Sequence, residues 1–153
     1  MTTMKAGLYD GKGGMHVANI EKPKLAPGDI LARVRSTGIC GSDLLHYSGN
    51  TTPDILPGGH EVAGEIYEVG ADVDQSMIGL RVAIENIGHG LSCGKCWFCK
   101  SGQYVQCTNK YSSEGGGYAE LIKRRADGCY PIPETMSWAE AALVEPLAVS
   151  VHG

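Results

Sequence analysis

Gly59-His60-Glu61-Val62-Ala63-Gly64-Glu65-Ile66-Tyr67-Glu68-Val69-Gly70 is the stretch around which the chain is organised. A loop punctuated by Pro53, Pro57, Gly58 and Gly59 precedes it. The apolar run Val62 to Val69 reads as a strand, so His60 and Glu61 stand at the mouth of a rigid element, where a pocket can open. A lone His-Glu pair is weak grounds for a metal site. Two further residues offer it company: Cys40, twenty positions earlier, and Glu145, far downstream.

A chain of 153 residues suits one domain with its own core, or one domain and a small appendage. The net charge of −4 and the lack of a long basic run argue against nucleic acid as a partner. Lys123-Arg124-Arg125 reads as a solvated strand end. No stretch of about 18 apolar residues is present to span a membrane. Met1 to Leu8 lacks the apolar segment of a signal peptide, which makes the cytoplasm the default location. Twenty-two glycines and a single region of helical character predict a chain of strands and turns.

Four of the six cysteines cluster: Cys93-Gly-Lys-Cys96-Trp-Phe-Cys99, followed by Cys107. In a reducing compartment this spacing reads as metal before disulfide. Two-residue gaps let one tight loop bring successive thiolates round a tetrahedral zinc. A closed four-cysteine site has no open position, so it is structural, fixing a lobe over residues 88–114. Cys129 lies in the short segment Gly128-Cys129-Tyr130-Pro131 and reads as a buried core residue.

In chain order, strands are predicted over Met4–Tyr9, Met15–Ile20, Ile30–Arg35, Val62–Val69, Leu80–Ile84 and Tyr118–Lys123. Ile30, Ala32 and Val34 alternate with Arg33 and Arg35, the pattern of a half-buried strand. Gly64, inside a strand, marks a bulge or a close backbone approach. Ser42 or Asp43 caps a short helix through Tyr47. Cys40 then sits where strand meets helix, a setting that favours thiolate; the plainer alternative is a small buried hydrophobe. The glycines 115–117 open a strand and lack the Lys-Ser/Thr of a phosphate loop. Ser137 with Glu140 forms a capping-box pattern, and Pro146 suits the first turn of a further helix with Glu145 near its cap. That helix, at most two turns long, makes the ending look like a cut.

Together these motifs resemble the zinc-containing medium-chain alcohol dehydrogenases. Gly59-His60-Glu61-x2-Gly64-x5-Gly70-x2-Val73 matches that family's signature, and Cys40-Gly41-Ser42-Asp43 its first metal-ligand motif. The cysteine quartet resembles its structural-zinc lobe. Glu145-Pro146-Leu147-Ala148-Val149, with His152 shortly after, resembles the third-ligand region of its polyol and threonine dehydrogenase branches. The resemblance implies a mainly β fold with short helices, a GroES-like partly open barrel. It implies a catalytic zinc bound by Cys40, His60 and either Glu61 or Glu145, polarising a substrate hydroxyl for hydride transfer to NAD or NADP. It assigns catalytic roles to Ser42, Glu61 and His46, with Ser42 relaying the alcohol proton, and makes Asp43 the residue that orients His60. Glu145, where several alcohol-specific relatives carry Cys, favours polyol, sugar-alcohol or amino-alcohol substrates. Family members often carry the outer relay histidine two residues after the Asp. Here Leu45 holds that place and His46 follows, a rotation of about 100° on a helix, so a surface or core role for His46 is equally open.

No G-x-G-x-x-G follows a strand and opens a helix. The expected nucleotide-binding Rossmann domain would begin beyond Gly153, which makes residues 1–153 the catalytic-domain portion of a dehydrogenase. The resemblance further implies a homo-oligomeric full-length form, its subunit contacts made mostly by the missing domain. The alternatives are a zinc-binding GroES-like module without catalysis of its own, and a chaperone-like role. The latter has no use for Cys40, His60 and Glu145, and fold alone does not carry function.

Overall fold

The computed structural model describes residues 2–49, 53–86, 88–111 and 114–152, with the side chains of His89 and His152 outside that description. Part of the loop before His60, Ser112 and Ser113 of the lobe, and the His152 imidazole that the resemblance pointed to therefore lie outside the described residues. Seven strands and four short helices follow one another: β1 (Thr3–Tyr9), β2 (Met15–Glu21), β3 (Asp29–Thr37), α1 (Asp43–Tyr47), β4 (Val62–Val69), β5 (Arg81–Ile84), α2 (Trp97–Lys100), β6 (Leu121–Arg125), β7 (Cys129–Pro131), α3 (Trp138–Ala142) and α4 (Val144–His152). β1 and β2 form a two-stranded sheet, and the rest form a five-stranded sheet in the order β6-β3-β4-β5-β7. Among the described residues, an isolated bridge from Ala6 to Ala119 joins β1 to the segment leading into β6, so the strands wrap without closing.

The centre of the sheet is the antiparallel pair β3–β4. Its register runs from Ile30 opposite Val69 to Thr37 opposite Val62. Period-2 alternation along β4 sends Val62 and Ile66 into a core with Ile30, Ala32, Val82, Ile84 and Ile122. Ala63, on the other face, packs against Ala141 and Ala142 of α3. Three alanines let helix and strand backbones approach closely. Arg81 fastens the segment before α3, donating to the carbonyls of Pro133, Glu134 and Met136 and lying over the Trp138 ring at 4.2 Å. The predicted capping box is formed: Ser137 Oγ accepts from Glu140 N–H, and the Glu140 carboxylate accepts from Ser137 N–H. The first residues of β4 are thus covered on both faces, which makes the strand mouth below His60 and Glu61 rigid.

Several expectations are corrected. β3 is covered on both faces at its start, where Ile30, Leu31 and Ala32 are all buried, and it alternates only from Arg33 onward. The strand expected from Tyr118 begins at Leu121, because Tyr118 and Ala119 are engaged with β1 instead. The helix expected to start at Pro146 starts at Val144, placing Glu145 in its first turn. Ser42 occupies the N-cap position of α1 but makes no side-chain cap bond, and Asp43 turns back to accept from Cys40 N–H at 2.8 Å. The clearest departure concerns Lys123 and Arg124, which are buried rather than solvated. Lys123 Nζ reaches Glu114 at 2.5 Å, and Arg124 donates to the carbonyls of Lys123 and Gly115. Burial pulls the Arg124 guanidinium down to about 10.

Gly64 shows why a glycine stands inside the central strand. A Cβ there would lie 2.5 Å from the Arg33 carbonyl oxygen, beside an irregularity in the β3–β4 register between Val34 and Ser36. Strand propensity alone favours a larger residue, so the sign of the effect is informative. Gly64→Ala is expected to lower unfolding stability by about 1–3 kcal/mol, read from the urea midpoint; a rise would show that the close approach has no energetic weight.

Candidate metal centres

The ends of the cysteine lobe are drawn together by the Tyr111 N–H, which donates to Leu91 O at 2.7 Å. Within it, Cys93, Cys96, Cys99 and Cys107 present their sulfurs to one point. Cys96 caps the first turn of α2 and Cys99 lies three residues on, so both thiols face the same side of that turn. The Sγ separations are 3.4 Å for Cys96–Cys99, 3.9 Å for Cys93–Cys99 and 4.0 Å for Cys96–Cys107. A disulfide needs about 2.05 Å. Four sulfurs at about 2.3 Å from a tetrahedral zinc stand about 3.8 Å apart, close to what is observed. Backbone N–H groups of Lys95 and Cys96 point at Cys93 Sγ, and that of Asn109 at Cys107 Sγ, each at 3.4 Å. Hydrogen bonding from the Cys99 backbone draws the Cys96 thiol down to about 6, and the Lys95 and Cys96 amides lower Cys93. Burial pushes Cys99 the other way. The donor set fits zinc by count, softness and spacing.

A second cluster forms where β3 ends and β4 begins. The candidate ligand atoms of Cys40, His60 and Glu61 lie within 4.8 Å of one another, the scale of one coordination shell. The ladder reaches one step beyond the strands, with Gly38 N–H donating to Glu61 O at 2.8 Å. Gly38 is required there: a Cβ would fall 1.9 Å from Glu61 Oε2. Glu145, at the start of α4, is not in the trio. Its carboxyl is nevertheless raised, first by burial and then by the nearby Glu61, against the opposing influence of His60, so it stands beside the cluster. A thiolate, an imidazole and a carboxylate suit a zinc that keeps an open position.

A cavity of about 420 Å³ opens beside His60. Ser42 and His46 share its wall, together with Tyr9, Asn86 and Arg124. Despite the one-residue offset in the sequence, His46 lines the same cavity as His60. Its ring stacks on Tyr9 at 5.8 Å, nearly parallel, and remains exposed. Asp43 does not bond to His60; its carboxylate accepts from Cys40 N–H and from the Tyr118 hydroxyl at 2.9 Å. His60 is held instead through its own carbonyl, which accepts from Asn86 Nδ2 at 2.6 Å. Sequence reasoning missed Gly38, Asn86, Tyr118 and Tyr9. Each acts by a contact between segments distant in sequence, and none carries a ligand-type spacing.

A GroES-like barrel bearing a four-cysteine lobe and a Cys-His-Glu cluster at the mouth of its central strand is the catalytic-domain architecture of zinc-type alcohol dehydrogenases. Residues 26–134 match the alcohol dehydrogenase GroES-like domain, and the chain belongs to that family. It is 38% identical to a sorbitol dehydrogenase of Bacillus subtilis over 97% of this chain and 44% of that protein. Among solved structures, an alcohol dehydrogenase from Escherichia coli CFT073 complexed with NADH superposes with a TM-score of 0.84 at 30% identity, over 99% of this chain and 44% of that one. A zinc-binding dehydrogenase from Sinorhizobium meliloti 1021 bound to NADP gives 0.78 at 33%, over 99% and 45%. The chain thus spans less than half the length of these relatives. Among the described residues, no helix is long and apolar enough to cross a membrane.

Cys93→Ser is expected to open the lobe to trypsin at Lys95, Lys100 and Lys110 while the barrel still melts as a folded unit. Unchanged cleavage at those lysines would mean that no metal orders the lobe.

Proposed function

We propose that the chain is the catalytic domain of a zinc-dependent alcohol or polyol dehydrogenase with two zinc sites of different kind. The four cysteines hold a structural zinc; Cys40, His60 and Glu61 hold a catalytic one. The observation that carries the reading is the convergence of Cys40, His60 and Glu61 beside a cavity that Ser42 and His46 also line. Glu145 is the neighbouring carboxylate able to take the place of Glu61. The likeness to a sorbitol dehydrogenase favours a polyol, and Ser42, Asp43, His46 and Asn86 on the cavity wall offer it hydrogen-bonding partners. The hydride acceptor is NAD or NADP, as in the two structural relatives, held by protein outside these 153 residues.

When bound, zinc supplies a Lewis acid that makes a substrate hydroxyl more acidic. Ser42, exposed and free of any cap bond, accepts the hydroxyl proton through Oγ and passes its own toward His46. Tyr9, buried beneath the ring, holds His46 in place by stacking, and the exposed imidazole releases the proton to solvent. A bound nicotinamide would supply the hydride acceptor, so that loss of the hydroxyl proton by way of Ser42 and of a hydride from the carbinol carbon would together balance the two-electron oxidation. Glu61 is buried, and the absence of a Cβ at Gly38 leaves room for its carboxylate.

Elemental analysis after exhaustive dialysis is expected to give about two zinc ions per chain, and His60→Ala about one, with the cysteine-bound ion retained. Loss of both ions in His60→Ala, or of neither, would contradict two independent sites.

A further inference from the structure

Tyr118 grips both segments that carry the candidate ligands of the second cluster, and neither the family likeness nor the proposed mechanism gives it a part. Its hydroxyl donates to Asp43 Oδ2 at 2.9 Å and lies 3.3 Å from Gly38 O. The same Asp43 oxygen accepts from Cys40 N–H at 2.8 Å. One phenol therefore reaches the Cys40 backbone through a single carboxylate. The other face of the residue works on His60. Tyr118 N–H donates to Gly58 O at 3.0 Å, and its ring lies so close to Gly59, the residue before His60, that a Cβ on Gly59 would stand 3.0 Å from two ring carbons. Its carbonyl accepts from Gly7 N–H at 2.7 Å, and its ring meets Tyr9 edge-on at 6.2 Å, tying the whole assembly to β1. Burial and the Asp43 carboxylate both push the Tyr118 phenol well above its ordinary range, which favours the protonated, donating hydroxyl.

We infer that Tyr118 is a positioning residue for the Cys40–His60 pair, setting the separation of thiolate and imidazole from one side chain. The inference rests on the two-site reading above. Hydrogen-bonding partners of metal ligands fix ligand orientation, and their loss costs about 10–100-fold in metal affinity. Tyr118 does this one bond further out on the Cys40 side and by ring contact on the Gly59 side. Asn86 secures the His60 carbonyl independently of Tyr118, so removing the phenol frees the Cys40 arm while His60 stays anchored.

The test is cobalt(II) titration of the metal-free chain, followed by visible absorption, because a four-thiolate site and a one-thiolate site give different d–d bands. Tyr118→Phe keeps the ring over Gly58 and Gly59 and removes only the hydroxyl. The expected result is an unchanged four-thiolate spectrum and melting temperature, with binding at the one-thiolate site weakened about 10–100-fold and its d–d bands displaced. Asp43→Asn is expected to weaken the same site, and the double variant to lose less than the two single losses combined, since both act along one line of contacts. Wild-type affinity and bands in Tyr118→Phe overturn the inference, as does equal weakening at both sites, which marks a general loss of structure. If Tyr118→Phe does not fold, wild-type cobalt affinity in Asp43→Asn overturns it from the other end. A wild-type chain that fills only the four-thiolate site overturns the two-site reading and the inference together; two filled sites with an indifferent Tyr118 overturn the inference alone.

Discussion

The register of β3 against β4 is the constraint on which the rest depends. Thr37 faces Val62, and one further hydrogen bond joins Gly38 to Glu61. Cys40 and His60, just beyond those residues, therefore emerge at the same end of the sheet. A slip of one residue would send Val62 and Ile66 out of the core and turn Ala63 away from α3. It would also part the thiol from the imidazole. Hydrophobic burial on two faces thus supplies the precision with which two ligand-type side chains meet. The register shift beside Gly64 bends the strand pair, and the absence of a Cβ at Gly38 leaves room for the Glu61 carboxylate.

Much of this was legible in the residue pattern. The apolar run from Val62 to Val69 is β4 from end to end, and the Ser137–Glu140 pair forms its capping box. The cysteine spacing brought four sulfurs to one point because two-residue gaps leave a tight loop little choice. What could not be read depends on contacts across the fold. Burial of Lys123 and Arg124 follows from Glu114 and the glycine run folding over β6, and a three-residue basic stretch carries no sign of it. Asp43 shows the same limit: its motif suggests a partner for His60, whereas the geometry gives it to Cys40 and Tyr118. His46, offset from the family position, is exposed, stacks on Tyr9 and lines the cavity, placements that the helix rotation alone does not give.

The two clusters of candidate ligands differ in how the chain prepares them. In the lobe, backbone N–H groups surround the sulfurs and local turns do most of the positioning. At the second cluster the positioning comes from distant segments: Gly38, Asn86 and Tyr118 belong to three parts of the chain. A locally built site tolerates movement of the body beneath it, whereas one assembled from remote parts reports on the integrity of the whole barrel.

The neck of the lobe, where Tyr111 N–H meets Leu91 O, has a consequence for how such a chain can change over time. An excursion whose two ends lie one hydrogen bond apart leaves and rejoins its host at nearly a single point. Residues can be added to or removed from its interior at little entropic cost, because closure entropy grows only slowly with length. The Tyr111 hydroxyl, bonded to Asp29 at the start of β3, secures the neck at the strand end opposite Cys40. Outside its four cysteines, the lobe can thus serve as a region of variation, where new surface for other subunits or other proteins is tried out while the cluster at the far end of β3 stays undisturbed.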